Sequence, residues 1–402
     1  MEAILVSDYA DARGGAAKVA IASAAALAAR DVAVTFFCAT EPQDPALSHP
    51  RIRVVSVGIE DVWHQPALQA ALNGIANAKV GHAFRQVLAE HDPARTVIHF
   101  HQWTKALSPS VLRVAATTAF PALITGHDYL YACPNGTYFD HGTGSPCRLK
   151  PLSGACMLSA CDTKTYAHKL VRVARQWDLP GLLRRVRQRW GFVHISPLAS
   201  DIGRSFLPDG ARHFILANPI DLAREVPVAV EANDLFLYVG RLLPEKGCLD
   251  LAAAGTGQAL AFMGEGPLAE PIRQANPAAE ILPWGTSAEV GRALARCRAL
   301  VLPSLWYETF GLVVAEALAK GVPVIVSDRV GAKALVSHGE NGLVYPAGDR
   351  AALRACLAAL GRPGEAARMG AAAHARYWSA PPTVARHADG LLGAYRDMLA
   401  AA

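Results

Sequence analysis

The chain has 402 residues, of which 52% are hydrophobic and 18% charged, and a formal net charge of +5 at pH 7. That length supports two or three domains with cores of their own, and so apolar a composition excludes wholesale disorder and a small disulfide-stapled scaffold. The positive balance is too mild to indicate a nucleic-acid partner, and none is expected.

Short apolar runs alternate with alanine-rich helical patterns from the start. Residues 3–7 read as a strand, 16–29 as a helix and 32–38 as a strand, the rhythm of a parallel sheet covered on both faces. Further strands are expected at 52–57, 96–100, 122–125, 191–195 and 213–216, enough to complete one α/β domain. A turn-rich stretch, Asn218-Pro219-Ile220-Asp221 followed by Pro227, marks a boundary. The plan then repeats, with strands at 235–239, 259–263, 280–282, 299–302, 323–326 and 343–345. No window supplies about 18 uninterrupted apolar residues, and the N-terminus lacks a basic n-region. A cytoplasmic chain with reduced thiols is expected.

Two loops carry unusual charge. The run 236–239 leads into Gly240-Arg241-Leu242-Leu243-Pro244-Glu245-Lys246-Gly247 ahead of a helical pattern. Cations this close to a helix N-terminus oppose the macrodipole by about 0.3–1 kcal/mol unless an anion compensates. The loop is therefore either solvated, with its side chains turned outward, or a clamp for a diphosphate. In the segment from Pro303 to Leu318, Glu316 falls within an apolar helical pattern, where a carboxylate is costly without a donor. Glu308 stands eight residues earlier at the expected helix entrance, and a rise of about 1.5 Å per residue would separate the two by about 12 Å. The plainer reading is that Glu308 caps the helix while Glu316 lies at the surface.

The Glu308-x7-Glu316 spacing, supported by Gly240-Arg241-Leu242-x3-Lys246-Gly247 and by Gly264-Glu265-Gly266-Pro267, resembles the retaining glycosyltransferases of family 4. The resemblance covers nearly the whole chain and is strongest over 235–349. It implies the GT-B fold, in which two Rossmann-like doubly wound α/β domains face each other across a cleft. Residues 1–220 would form the acceptor domain and 221–383 the nucleotide-sugar donor domain, with a terminal helix over 384–402 returning to the first. It implies transfer of a sugar from a nucleotide-diphosphate-sugar to a glycan or lipid-linked acceptor, in surface polysaccharide or glycolipid assembly.

Residue by residue, the resemblance gives Glu308 the donor-sugar hydroxyls and Glu316 the ribose, while Arg241 and Lys246 neutralise the diphosphate. Backbone amides of Phe310, Gly311 and Leu312 would add donors, and Gly264, Glu265 and Gly266 would line the donor loop. The base would be read mainly by backbone near Trp284-Gly285 and Pro303-Ser304, so UDP, GDP and ADP donors stay open. Gly14-Gly15 is a plain turn on its own terms, but the resemblance assigns it to the donor phosphate and acceptor region. His127 would sit near the reacting sugar. His99 and His101 either line the acceptor side or pack. With no Asp-x-Asp motif, a catalytic divalent metal is not expected. Two departures stand out: Gly331-Ala332-Lys333-Ala334 replaces the usual Gly-x-Pro-Glu, and Asn218-Pro219 replaces Asn-Gly at the junction. Alternatives are a sugar-nucleotide epimerase on a similar plan, or a donor-binding partner subunit without catalysis. The intact charged set argues against the second.

Two clusters are particular to this chain. Cys133, Cys147, Cys156 and Cys161 occupy the Gly- and Pro-rich stretch 131–162. Four thiolates could hold a structural zinc and fix a loop without a core, although the paired knuckle spacing is missing and His141 competes; free thiols or labile disulfides are the other reading. From 164 to 190, Lys164, Lys169, Arg172, Arg175, Arg184, Arg185, Arg187 and Arg189 interleave with apolar residues, with Asp178 as the acid. This composition fits interfacial helices against an anionic membrane surface, or a helix pair packing on the first domain, broken at Pro180-Gly181. A peripheral location on the inner membrane face follows from the first reading.

Overall fold

The computed structural model describes residues 1–41 and 43–401; Ala402, the last residue of the expected terminal helix, lies outside them. In the first half, strands β1 (Glu2–Ser7), β2 (Ala33–Cys38), β3 (Ile52–Ser56), β4 (Thr96–Phe100) and β5 (Ala122–Gly126) precede a two-residue-per-strand hairpin, β6 (Phe139–Asp140) and β7 (Ser145–Pro146). Strands β8 (Trp190–His194) and β9 (Arg212–Ile215) complete a parallel sheet of order β3-β2-β1-β4-β5-β8-β9. In the second half, β10 (Leu235–Val239), β11 (Leu260–Met263), β12 (Glu280–Leu282), β13 (Cys297–Leu302), β14 (Val324–Ser327) and β15 (Gly342–Tyr345) form a parallel sheet of order β12-β11-β10-β13-β14-β15.

The central strands of each sheet are mostly apolar runs because helices cover both faces, whereas the edge strands β3, β9 and β12 are partly exposed. All five residues of β4 and of β5 and all six of β13 are buried. The first sheet carries one core on each face and the second half has its own. Each sheet reverses its strand order once, between β1 and β4 and between β10 and β13, and ligands bind such sheets in the crevice beyond the strand ends at that point. The loops 8–14, 101–109, 240–247 and 303–311 therefore converge on one cleft.

The chain crosses between halves twice, side by side. Ile220 N–H donates to the Pro382 carbonyl at 2.9 Å, and the helix Val384–Leu399 returns to pack on Gly15–Ala28. His387 on that helix is hydrogen-bonded to Ser23 and to the Ala217 carbonyl, both at 2.9 Å.

The basic segment breaks earlier than expected, and of its two readings the fold matches a helix pair packed on the first domain. Its break falls at Trp177-Asp178, between helices Tyr166–Gln176 and Leu179–Val186, because Pro180 is tolerated in a first helical turn. Its apolar face points inward: Leu179, Leu182, Leu183 and Val186 belong to the core of the first half, leaving Leu170 and Trp177 exposed. Of the cations, Lys169 is buried, Arg172 is paired with Asp162 at 3.1 Å and Arg175 donates to the Pro134 carbonyl. Lys164, Arg184, Arg185 and Arg187 face outward. No helix is long and apolar enough to cross a membrane among the described residues.

Candidate active site

The helix after β13 begins at Leu312, so Glu308 lies in the preceding loop, and the axial estimate of its distance from Glu316 does not apply. Its backbone is bridged to Val330, with Glu308 N–H donating to the Arg329 carbonyl at 2.9 Å and Gly331 N–H to the Glu308 carbonyl at 2.9 Å. The side chain does not cap the helix. Lys246 Nζ donates to Glu308 Oε1 at 2.8 Å, and the Ser304 hydroxyl donates to Oε2. Burial would push the Glu308 carboxyl up, but Lys246 and Ser304 outweigh it and hold the group below the ordinary glutamate range. Lys246 Nζ also lies 5.0 Å from the Trp306 ring centroid. A cation and a carboxylate are thereby fixed together at the second sheet's switch point.

Glycine is what lets the loops meet. Gly247 has φ +71°, and a Cβ there would come within 2.0 Å of the Pro303 carbonyl oxygen. At Gly264 a Cβ would come within 1.9 Å of the Gly240 carbonyl oxygen. The loops after β10, β11 and β13 thus stack with backbone against backbone, which the Gly-x-Gly and Lys-Gly motifs report.

Arg241 is exposed and has no ion-pair partner among the described residues, while its carbonyl accepts from the Tyr238 hydroxyl at 2.8 Å. No side chain caps the helix Leu312–Ala319, and the amides of Phe310, Gly311 and Leu312 meet no protein acceptor among the described residues. Glu316 is half-buried in the first two turns of that helix. Burial pushes its carboxyl up, and Lys18 across the cleft and Lys320 partly offset this. Glu265 and Gly266 are exposed at the loop rim, Trp284 is 57% exposed, and Gly285 packs beside Glu289. Gly14 and Gly15 head the helix Gly15–Ala28 with open space around both α-carbons.

The opposite wall comes from β4 and β5. His127 Nε2 and His101 Nδ1 are hydrogen-bonded at 3.1 Å, and the His127 carbonyl accepts from the Thr309 hydroxyl at 2.9 Å. Ser196 Oγ donates to the Thr309 carbonyl at 2.7 Å, so Thr309 joins the two halves directly beside Glu308. Burial, with His387 adding repulsion, pushes the His127 imidazole down to about 3, and burial holds His101 well below its usual value. His99 is fully buried, with its nitrogens bonded to Tyr395 and Thr125 at 2.7 Å each; it ties the returning helix to the sheet. His101 Nε2 has no partner among the described residues.

Three participants were not legible as motifs. Thr309 connects the walls, and Ser304 holds Glu308, yet a lone hydroxyl residue has no sequence signature. Asp8 accepts the Lys105, Ala106 and Leu107 amides at 2.9–3.0 Å and shapes the loop behind His101. A carboxylate at the end of an apolar strand was its signal.

Of the two readings of the four clustered cysteines, the fold matches free thiols: no group of three or more His, Cys, Asp or Glu side chains is arranged to hold a metal ion among the described residues. Lys169 intrudes instead: its Nζ lies 2.7 Å from Cys161 Sγ and 3.9 Å from Cys156 Sγ. An ammonium or amine among the sulfurs does not fit a tetrahedral thiolate site. His141 on the β6–β7 turn reaches the other half, 3.8 Å from Glu245.

Two facing doubly wound domains with a charged switch point define the GT-B class of transferase folds. The family described as "Glycosyl transferases group 1" matches residues 233–362, and "Glycosyl transferase 4-like domain" matches 14–163. The chain belongs to these group 1, family-4 type glycosyltransferases. It is 37% identical over 118 residues to a GDP-mannose-dependent alpha-mannosyltransferase of Mycobacterium tuberculosis, covering 28% of this chain and 30% of that one. It is 32% identical over 185 residues to a phosphatidyl-myo-inositol mannosyltransferase of Mycobacterium leprae, covering 40% and 50%. The chain thus spans half or less of the length of these curated relatives. The fold matches sucrose-phosphate synthase from Thermosynechococcus elongatus with a TM-score of 0.72 at 21% identity over all of both chains.

Proposed function

We propose that the chain transfers a sugar from a nucleotide-diphosphate-sugar to a glycan or lipid-linked acceptor, retaining anomeric configuration and drawing on no catalytic divalent metal. The observation that carries this is the Lys246–Glu308 pair, set at the second switch point and joined through Thr309 to His127. Cleavage of the anomeric bond develops negative charge on the departing diphosphate and positive charge on the sugar. Arg241, unpaired, and Lys246 stand to neutralise the first, together with the uncapped amides of Phe310, Gly311 and Leu312. Glu308 is held ionised and anchored on Lys246 and Ser304, so it orients sugar hydroxyls and does not attack. The acceptor hydroxyl then attacks from the face the nucleotide leaves. Glu316 takes the ribose, facing Lys18 of the other wall.

Gly14 and Gly15 leave room for the phosphates or the acceptor. His127, neutral, presents its backbone and ring to the sugar, with His101 behind it. Glu265, Gly266, Trp284 and Gly285 form the rim over the base. The resemblance to a phosphatidyl-myo-inositol mannosyltransferase favours a lipid-linked acceptor. A hollow of about 840 Å³ lined by Tyr131, Trp177, Leu183, Arg184 and Phe206 adds an apolar, cationic surface for it, beside the outward Arg185 and Arg187 at an anionic membrane face.

A thermal-shift panel of UDP-, GDP- and ADP-sugars tests the donor assignment. A true donor at about 100 times its Kd stabilises the fold by about 2.7 kcal/mol. Absence of a shift with every nucleotide sugar overturns the proposal. Incubation with donor alone separates transfer from epimerisation, since only an epimerase equilibrates the sugar without acceptor.

A further inference from the structure

The misfit between the cysteine cluster and a metal site has its own chemical content. Lys169 Nζ lies 2.7 Å from Cys161 Sγ, closer than an N–H···S hydrogen bond ordinarily brings nitrogen and sulfur, and about the span of a single bridging oxygen atom. Lys169 is 1% exposed and Cys161 5%, so the contact is not a chance meeting of surface side chains. Asn135 fixes the sulfur, with Nδ2 donating to Cys161 Sγ at 3.1 Å and to the Cys161 carbonyl at 2.7 Å. Cys156 Sγ, at 3.9 Å from the same Nζ, is a second thiol within reach. No acidic side chain pairs with Lys169 among the described residues. A fully buried lysine whose neighbours are thiols is expensive as a mere packing residue.

We propose that Lys169 and Cys161 form a redox-reversible covalent cross-link, Nζ–O–Sγ, with dioxygen as oxidant. In the forward step the Lys169 ammonium first releases a proton to solvent, and then the S–H bond of Cys161 and one N–H bond of the resulting amine break while S–O and N–O bonds form. One oxygen atom enters the bridge and the other leaves as water. Thiol and amine give up two electrons each, and dioxygen takes up all four. Two equivalents of a dithiol reverse the step, returning thiol, amine and water and leaving two disulfides on the reductant. Dioxygen is small and apolar enough to enter a closed site, and no chain movement is needed to close a gap already this short.

The bridge joins the 131–162 excursion to the helix Tyr166–Gln176. That excursion carries His141 to Glu245, whose carbonyl accepts the Leu305 and Trp306 amides between the two donor loops. Oxidation therefore stiffens the support under the loops that hold Lys246 and Glu308.

Intact and peptide mass spectrometry of the full chain, aerated and then treated with dithiothreitol, tests this. The aerated protein should gain one oxygen and lose two hydrogens per bridge. Trypsin should fail to cut after Lys169, releasing residues 149–164 linked to the peptide that spans Lys169; dithiothreitol should restore cleavage and the unmodified mass. Lys169→Arg and Cys161→Ser should abolish the linked species, and Cys147→Ser should retain it. Unchanged mass after aeration, a dithiothreitol-sensitive loss of two hydrogens alone with normal cleavage at Lys169, or stoichiometric zinc by elemental analysis would each overturn the proposal. Because the wild-type peptide map is decisive, a variant that fails to fold leaves the test intact.

Discussion

The two walls of the cleft hold their ionisable groups in opposite ways. On the second-half wall Glu308 is half-buried yet kept charged by Lys246 and Ser304, beside an unpaired Arg241. On the first-half wall burial pushes His127, His101 and His99 toward their neutral forms, and pushes the Asp128 carboxyl up to about 6 although the Leu130 amide and Arg175 oppose it. Around Glu308 and His127, one wall is built to face charge and the other to stay neutral. That division suits a reaction in which a diphosphate departs on one side and a neutral hydroxyl arrives on the other.

Removing charge from the charged wall should do most damage. Lys246→Met leaves the half-buried Glu308 without its cation, which should cost about 2–3 kcal/mol of stability and lower turnover by about 10²–10³-fold. Denaturant titration and initial rates measure the two effects, and a variant with unchanged stability would dissolve the contrast between the walls. Next is the backbone contact that brings the donor loops together. Gly247→Ala meets both positive φ and the Pro303 carbonyl, and should cost about 3 kcal/mol as seen in the denaturation midpoint.

On the neutral wall, Tyr395→Phe strips one partner from His99 and should cost about 1–2 kcal/mol with turnover unchanged, since His99 does not reach the cleft. The smallest effect sharpens the contrast through pH. A carboxyl raised in the fold binds its proton more tightly there, so Asp128 withdraws stability as pH rises from about 4 to about 6. Asp128→Asn should flatten the melting-temperature profile in that window. Glu308 is depressed, so its contribution is present at neutral pH and disappears as pH falls through its folded value. Glu308→Gln should weaken acid sensitivity below about pH 4. Matching pH profiles for the two variants would contradict opposite signs.

Legibility followed the same division. Strands β4 and β10 fall where their apolar runs place them, because central strands of a parallel sheet covered on both faces write themselves as unbroken hydrophobic sequence. The donor loops were legible because glycine and paired charge are local requirements of backbone stacking and anion binding. Thr309 and Ser304 were not, because their roles arise from elements far apart in the chain. The hairpin Phe139–Asp140 with Ser145–Pro146 escaped notice since two-residue strands have no period. The cysteines left a structural metal, free thiols or labile disulfides open, and only the fold brings Lys169 among them. The basic segment left an interfacial face and a helix pair packed on the first domain equally open, and its apolar stripe serves the core of the first half.

The central claim is that the charged wall stabilises a departing diphosphate, and Arg241 isolates it because that side chain is exposed and unpaired among the described residues. Initial rates of sugar transfer from the donor chosen by thermal shift should be compared for wild type and Arg241→Ala, with melting temperatures in parallel. The account predicts turnover lower by about 10²-fold or more at an unchanged melting temperature. Near-native turnover of Arg241→Ala would contradict it.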